Sequence, residues 1–198
     1  MVTVSLLSEI QASILDSKSA IAPILLKLRF LASRLGSTQL EVWVKHESEG
    51  YPSEAPVPDY RKLGISYYGT FSGPFGSGIS NAPIPPYLIE KIAGKAWAAS
   101  EMRESIAAVD DLVRGDDDVI EIDASNLMLL LQGKVYRNYS CNSVTGRISK
   151  TAMCEIQNAV RNRVLELTIE LERAAPGIFA CSWRSHWRLA RAPLLFSI

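Results

Sequence analysis

The stretch YPSEAPVPDYRKLGISYYGTFSGPFGSGISNAPIPP, running from Tyr51 to Pro86, decides how the chain is read. It holds Pro52, Pro56, Pro58, Pro74, Pro83, Pro85 and Pro86 together with Gly64, Gly69, Gly73, Gly76 and Gly78. Proline lacks the N–H a helix interior needs, and glycine loses the most conformational freedom on ordering, so this density excludes a helix. Within it, Ile65 to Phe71 is rich in β-branched and aromatic residues and reads as a short strand, half of a hairpin. Long segments of this kind are uncommon in compact domains and carry function disproportionately, so the search for a site starts here.

Upstream, the pattern is helical. Ser5 is placed to cap a first helix reaching Asp16, with Leu6, Leu7, Ile10 and Ile14 on one face. A second starts near Ser19, holds Pro23 in its first turn, and ends at Arg34 with Gly36 beyond; Leu25, Leu28, Leu31, Ala32 and Leu35 form its core stripe. Thr38 and Glu41 make a capping box for a third, whose Leu40, Trp43 and Val44 face inward until Gly50. Short connections predict that the three pack as antiparallel neighbours.

Downstream, Pro86 is suited to start a fourth helix, and Leu88, Ile89, Ile92, Ala96, Ala99, Ile106 and Val113 keep a helical period until Gly115, with a bend at Gly94 or near Ser100. Val119, Ile120 and Ile122 read as a short strand, Ser125 as the cap of a brief helix over Leu127 to Leu131, and Val135 to Cys141 as another strand. Ser149 starts the last helix, with Met153, Ile156, Val160, Val164, Leu167 and Leu171 in register, stopping by Pro176. The expected fold is therefore mainly α: an N-terminal three-helix subassembly plus two longer helices, with a few short strands in the Pro/Gly-rich connections as a minor α+β component. Residues 1–175 are expected to form one domain, and 176–198 a tail that either packs back or binds a partner.

The 198 residues carry 21 basic and 21 acidic side chains, so no overall charge draws the molecule to nucleic acid or anionic lipid. The distribution is uneven: Glu101 to Asp123 has nine acids against two bases, whereas Lys134 to Arg163 has six bases against one acid. Internal pairing, head-to-tail self-association and a basic groove each fit that asymmetry. In the tail, Trp183 and Trp187 share one helical face and Arg184, Arg188 and Arg191 another, which suits a membrane surface, a partner, or packing onto the domain. Cys141, Cys154 and Cys181 are odd in number and widely spaced, fitting free thiols in a reducing compartment. No signal-peptide pattern precedes Glu9, and no apolar run spans a bilayer, so a cytoplasmic location is expected.

No catalytic constellation emerges. His46 and His186 have no metal-ligand spacing, Cys141 has no motif around it, and no Gly-x-Ser-x-Gly elbow occurs. The glycines from Gly69 to Gly78 lack the Lys of a Walker loop, and Asn81 stands where a dinucleotide fingerprint needs Gly, which leaves a cradle for a ligand or a loop packing Phe71 and Phe75 onto the helices. Asp116, Asp117 and Asp118, with Glu121 and Asp123, fail the EF-hand pattern and read as a solvated acidic turn. The expectation is a protein without catalytic residues, metal or cofactor.

The order of the segments resembles the AbiTii domain of bacterial abortive-infection proteins. The resemblance lies in Leu6-Leu-Ser-Glu-Ile-Gln11, Leu31-Ala-Ser-Arg-Leu-Gly36, Trp43-Val44, Gly50-Tyr51, Pro58-Asp-Tyr-Arg61, Gly73-Pro-Phe-Gly76, Asn81-Ala-Pro-Ile-Pro85, Tyr139-Ser-Cys141 and Val160-Arg-Asn-Arg-Val-Leu165. It implies a role in limiting phage propagation, in a domain that commonly opens a longer defence protein, and brings no catalytic set to carry over. Beyond Ala174 the chain departs from the family pattern.

Combining these readings, the chain is expected to be an antiphage binding or self-assembly module, a sensor or scaffold. Asp59, Tyr60, Arg61, Phe75, Gly76 and Asn81 would contact a ligand or partner, whether another copy or a defence-system or phage protein. The alternatives are an effector that grips nucleic-acid phosphates through Arg137, Arg147, Lys150, Arg161 and Arg163, and a membrane-acting toxin that uses the tail.

Overall fold

The computed structural model describes residues 5–174, so the tail readings lie outside the described residues. Its described part has two compact units. One contains the residues up to Pro58, Glu104–Asp111 and the chain from Ile156; the other contains Asp59–Arg103 and Leu112–Glu155.

The first unit is helical. Helix α1 (Leu6–Leu15) starts where the Ser5 hydroxyl accepts the Ser8 N–H at 3.2 Å. Helix α2 (Ile21–Leu35) ends on Gly36 at φ 64°, with Gly36 and Ser37 N–H returning to Ser33 and Ala32 carbonyls at 3.3 Å, a Schellman stop. Helix α3 (Thr38–Glu49) starts on the expected cap residue itself, the cap being Ser37 one position earlier, whose carbonyl accepts the Glu41 N–H at 3.0 Å. The expected core stripes of α1 and α2 are buried, Leu6 and Leu35 partly, as are Leu40, Trp43 and Val44 of α3. Helix α7 (Lys150–Ala174) buries Met153, Ile156, Val160, Val164, Leu167 and Leu171, each removal from water contributing about 1.5–3 kcal/mol.

One side chain of α7 holds the corner between α1 and α2. Arg161 donates to the carbonyls of Ile14 and Asp16 at 3.3 Å, Ser17 at 3.4 Å, and Ser19. Ile14 and Asp16 close α1 while Ser17 and Ser19 lie in the connection to α2, and a guanidinium fork serves several carbonyls at once. In the same corner the Asp16 carboxylate accepts the Lys18 N–H at 3.1 Å and the Ser19 hydroxyl at 2.8 Å. These two bonds, with the Arg161 charge nearby, hold its carboxyl below the ordinary carboxylate value. Farther along the helix, Gln157 reaches the buried Asp110 of α5 (Ile106–Arg114) at 2.5 Å.

The second unit overturns the mainly-α expectation. Strands make up 21% of the described residues, in antiparallel sheets of two and four strands, so the fold is α+β. Strand β1 (Lys62–Gly64) pairs with β4 (Ala99–Glu101). The larger sheet has the order β3-β2-β6-β5, from β2 (Ser66–Ser72), β3 (Gly78–Ile84), β5 (Val119–Asp123) and β6 (Ser140–Ser149). One of its faces buries Tyr67, Phe71, Ala82, Ile84, Cys141 and Val144 against Ile89 of α4 (Pro86–Ala93), Leu127 of α6 (Ser125–Leu130) and Leu131, which caps α6.

Two further expectations are corrected. The helix expected from Pro86 to Gly115 is two helices, α4 and α5, separated by a 3-10 turn and β4. Gly94 at φ 96° takes the chain out of the helix, and Ala99 to Glu101 pair with β1. The strand expected over Val135 to Cys141 lies later, at β6, because Tyr136 turns toward Phe71, their rings 5.0 Å apart, in the loop before it. Among the described residues no helix is long and apolar enough to cross a membrane.

Replacing Arg161 with Ala removes the shared donor of the α1–α2 corner and is expected to lower the unfolding free energy by about 2–3 kcal/mol in urea titration, with Lys restoring only part, since one ammonium cannot span the four carbonyls. Asp16 adds a pH signature. A depressed carboxyl stabilises the fold above its ordinary value of 3.8, and that contribution fades as pH falls through the lowered value. Asp16→Asn should therefore show a shallower loss of thermal midpoint than the parent between about pH 5 and pH 3.

Candidate functional site

The β2–β3 hairpin places the most distinctive surface. Its tip, Gly73 to Gly78, is closed by Gly73 N–H to the Ser77 carbonyl at 2.7 Å, and by the Ser77 N–H and hydroxyl to the Pro74 carbonyl at 3.1 and 2.8 Å. Phe75 sits there at φ 57°, followed by Gly76 at φ 76°. A non-glycine residue in the left-handed region costs about 1–2 kcal/mol, and a bulky aromatic one is a genuine outlier. The ring gains no burial in return: Phe75 is fully exposed, not packed onto helices as one sequence reading had it, while Phe71 is buried.

The tip is braced from below. A Cβ on Gly73 would come within 2.6 Å of the Tyr139 ring and 2.7 Å of the Ser77 hydroxyl, so this position admits only glycine without a shift. Tyr139 stacks edgewise on Tyr136 at 6.1 Å, and Tyr136 on the core residue Phe71 at 5.0 Å. Three rings thus link the core to the base of the tip.

Two bulges flank the same step of β2. Toward β3, Ser80 and Asn81 together face Thr70, with Asn81 at φ 53°; toward β6, Asn142 is left unpaired between Ser143 and Cys141. Bulges of this kind bend a strand and re-aim side chains. Gln132 completes the β6 side, its amide donating to the Cys141 carbonyl at 2.7 Å and accepting the Cys141 N–H at 2.9 Å.

Across the sheet face opposite the helices, one residue from each strand forms a row. Arg147 of β6 donates to Asn81 of β3 at 3.0 Å and to Glu121 of β5 at 3.2 Å, and its guanidinium lies 4.7 Å from the ring centre of Tyr68 of β2. The row joins Asn81 and Arg147, which the sequence reading assigns to different sites, and adds Glu121, read there as part of a solvated acidic turn, and Tyr68, which the sequence does not single out. The alternation of β2, with Tyr67, Gly69 and Phe71 buried, points Tyr68 to this face.

The other predicted residues fall elsewhere. Asp59 is exposed and ion-paired with Lys62 at 2.7 Å, which holds its carboxyl below the ordinary range. Tyr60 is half-buried, and Arg61 is fully buried, donating to the Met102 carbonyl at 2.9 Å. These three precede β1, in the two-stranded sheet, whereas Phe75, Gly76 and Asn81 belong to the four-stranded one. Of the basic residues, Arg161 serves the α1–α2 corner and Lys150 donates to the Gly115 carbonyl. Arg137 is exposed in the loop before β6, and Arg163 is half-buried on α7. Burial pushes the Cys141 thiol up, away from the nucleophilic thiolate. Among the described residues no three His, Cys, Asp or Glu side chains are grouped to hold a metal ion.

The described residues thus form a helical unit and an α+β unit, the latter carrying a braced aromatic tip and a polar sheet face. The AbiTii family model matches residues 5–180, and the chain belongs to the AbiTii family. The family's name ties it to abortive infection, a form of antiphage defence. No curated protein and no solved structure matches the chain.

Gly73→Ala should force Tyr139 off the tip and lower the unfolding free energy by about 1–3 kcal/mol, whereas Gly78→Ala, whose added Cβ would meet nothing nearer than 3.6 Å, should cost less than half as much in the same urea titration.

Proposed function

We propose that the chain serves abortive infection as a binding module whose hairpin tip seats Phe75 in a pocket on a protein partner. The observation that carries this reading is a fully exposed aromatic ring held on a strained, braced backbone. Aromatic anchors dominate binding energy at protein interfaces, and a tip ordered before contact loses little entropy on docking. Backbone strain with no packing return in the free chain is the signature of a residue retained for an encounter. Asn81 lies on β3, which leads from that tip, and Arg147 of β6 holds its side chain, so the two supply polar groups on the sheet face farther from the anchor. The partner belongs to the defence system or to the phage, and self-assembly is the same reading with a second copy as partner.

The test uses phage plating on cells carrying the full-length protein, with stability measured in parallel. Phe75→Gly relieves the positive φ and removes the ring, so it should leave the thermal midpoint equal to or above the parent's while protection falls at least tenfold. Phe75→Tyr should retain protection. Undiminished protection by the Gly variant would sink the assignment.

A further inference from the structure

The four-stranded sheet has two edges, and they differ. The β3 edge is closed to an added strand: Pro83 supplies no N–H, and the Asn81 bulge breaks its register. The β5 edge has neither device. Val119 to Asp123 pair with Ser149 to Thr145 in unbroken register, without proline, glycine or bulge, and among the described residues their backbone bonds run to β6 alone. Val-Ile-Glu-Ile-Asp is also a strong strand former, with two β-branched isoleucines at alternate positions.

The side chains say what the edge accepts. Ile120 and Ile122, opposite Ile148 and Gly146, lie on the helix-covered face and are only half-buried, so apolar surface continues past the last strand. Asp116, Asp117, Asp118, Glu121 and Asp123 line and precede the edge, with no basic residue among positions 115–123. Natural edges are usually protected by lysine, proline or a bulge. Here the only protection is negative charge, which repels a second copy of β5 laid antiparallel across a two-fold axis and attracts a strand of opposite sign. We infer that the β5 edge is a docking site for an extended protein segment of alternating basic and apolar residues, added as a fifth strand. Main-chain hydrogen bonds hold the segment, its apolar side chains cover Ile120 and Ile122, and its basic ones face Asp123 and the Asp116–Asp118 run, Glu121 being already paired with Arg147.

The probe is a fluorescein-labelled Lys-Val hexapeptide titrated with the full chain at low salt, read by anisotropy, alongside a Glu-Val hexapeptide and a Lys-Val peptide N-methylated at alternate residues. The Lys-Val peptide should bind, the N-methylated one at least tenfold more weakly, and the Glu-Val one not at all. Asp116→Lys with Asp117→Lys, surface changes that leave β5 intact, should weaken binding at least fivefold. Hydrogen exchange should slow at β5 amides on peptide addition. Equal binding of the N-methylated peptide would show charge attraction without strand pairing, and no Lys-Val binding would remove the site. Protection placed on β3, or β5 amides already protected in a concentration-dependent dimer, would equally overturn the assignment, the last by giving the edge to a second copy.

Discussion

The larger sheet depends on the pairing of β6 with β2, in which Ser66 meets Arg147 and Ser72 meets Ser140. Roughly seventy to eighty residues of chain close between these partners, yet loop-closure entropy rises only as the logarithm of length. What the pairing secures is large by comparison. It brings β5 onto the far side of β6, sets Cys141 and Val144 against α6, and puts Tyr136 and Tyr139 beneath the hairpin. The bulge at Asn142 is part of that arrangement, because it keeps both Cys141 and Val144 on the buried face although they are three positions apart. Without it one of them would turn to the opposite face.

The same bulge explains what could and could not be read from the chain. A strand announces itself by period-two alternation, and β6 breaks that period at Asn142, then loses a side chain at Gly146, where a Cβ would come within 3.0 Å of Ile65. Cys-Asn-Ser-Val-Thr-Gly-Arg-Ile therefore carries little hydrophobic signal, and the longest strand was invisible while β2 and β5 were legible. The three N-terminal helices and α7 were read correctly because their stripes follow one uninterrupted period and their ends are marked by Ser5, Gly36 and Ser149. The apparent helix across Ala96 and Ala99 shows the converse. Alanine at helical spacing fits a helix, but a pairing with β1 some 35 residues earlier outweighs that preference.

Site residues were legible only in part, for a related reason. Composition pointed to the Pro/Gly segment, and the hairpin tip lies in it. Burial was not legible: Arg61 and Asn81 look alike as polar residues in a loop-rich stretch, yet one is enclosed and the other reaches across a sheet. Arg147 and Asn81 sit 66 positions apart and meet only through β2, so their association needed the strand order first.

The helical unit is discontinuous: its N-terminal helices precede the sheet in sequence, and the arginine that ties their corner, Arg161, follows it. On a ribosome adding about 5–20 residues per second, α1 to α3 wait roughly 5–20 s for that partner. The sheet unit is synthesised in between, so the first helices made are among the last parts to be completed. An interrupted message would release a chain with α1 to α3 uncapped by α7, exposing the apolar faces that chaperones and proteases recognise, and only chains translated through α7 complete the helical unit.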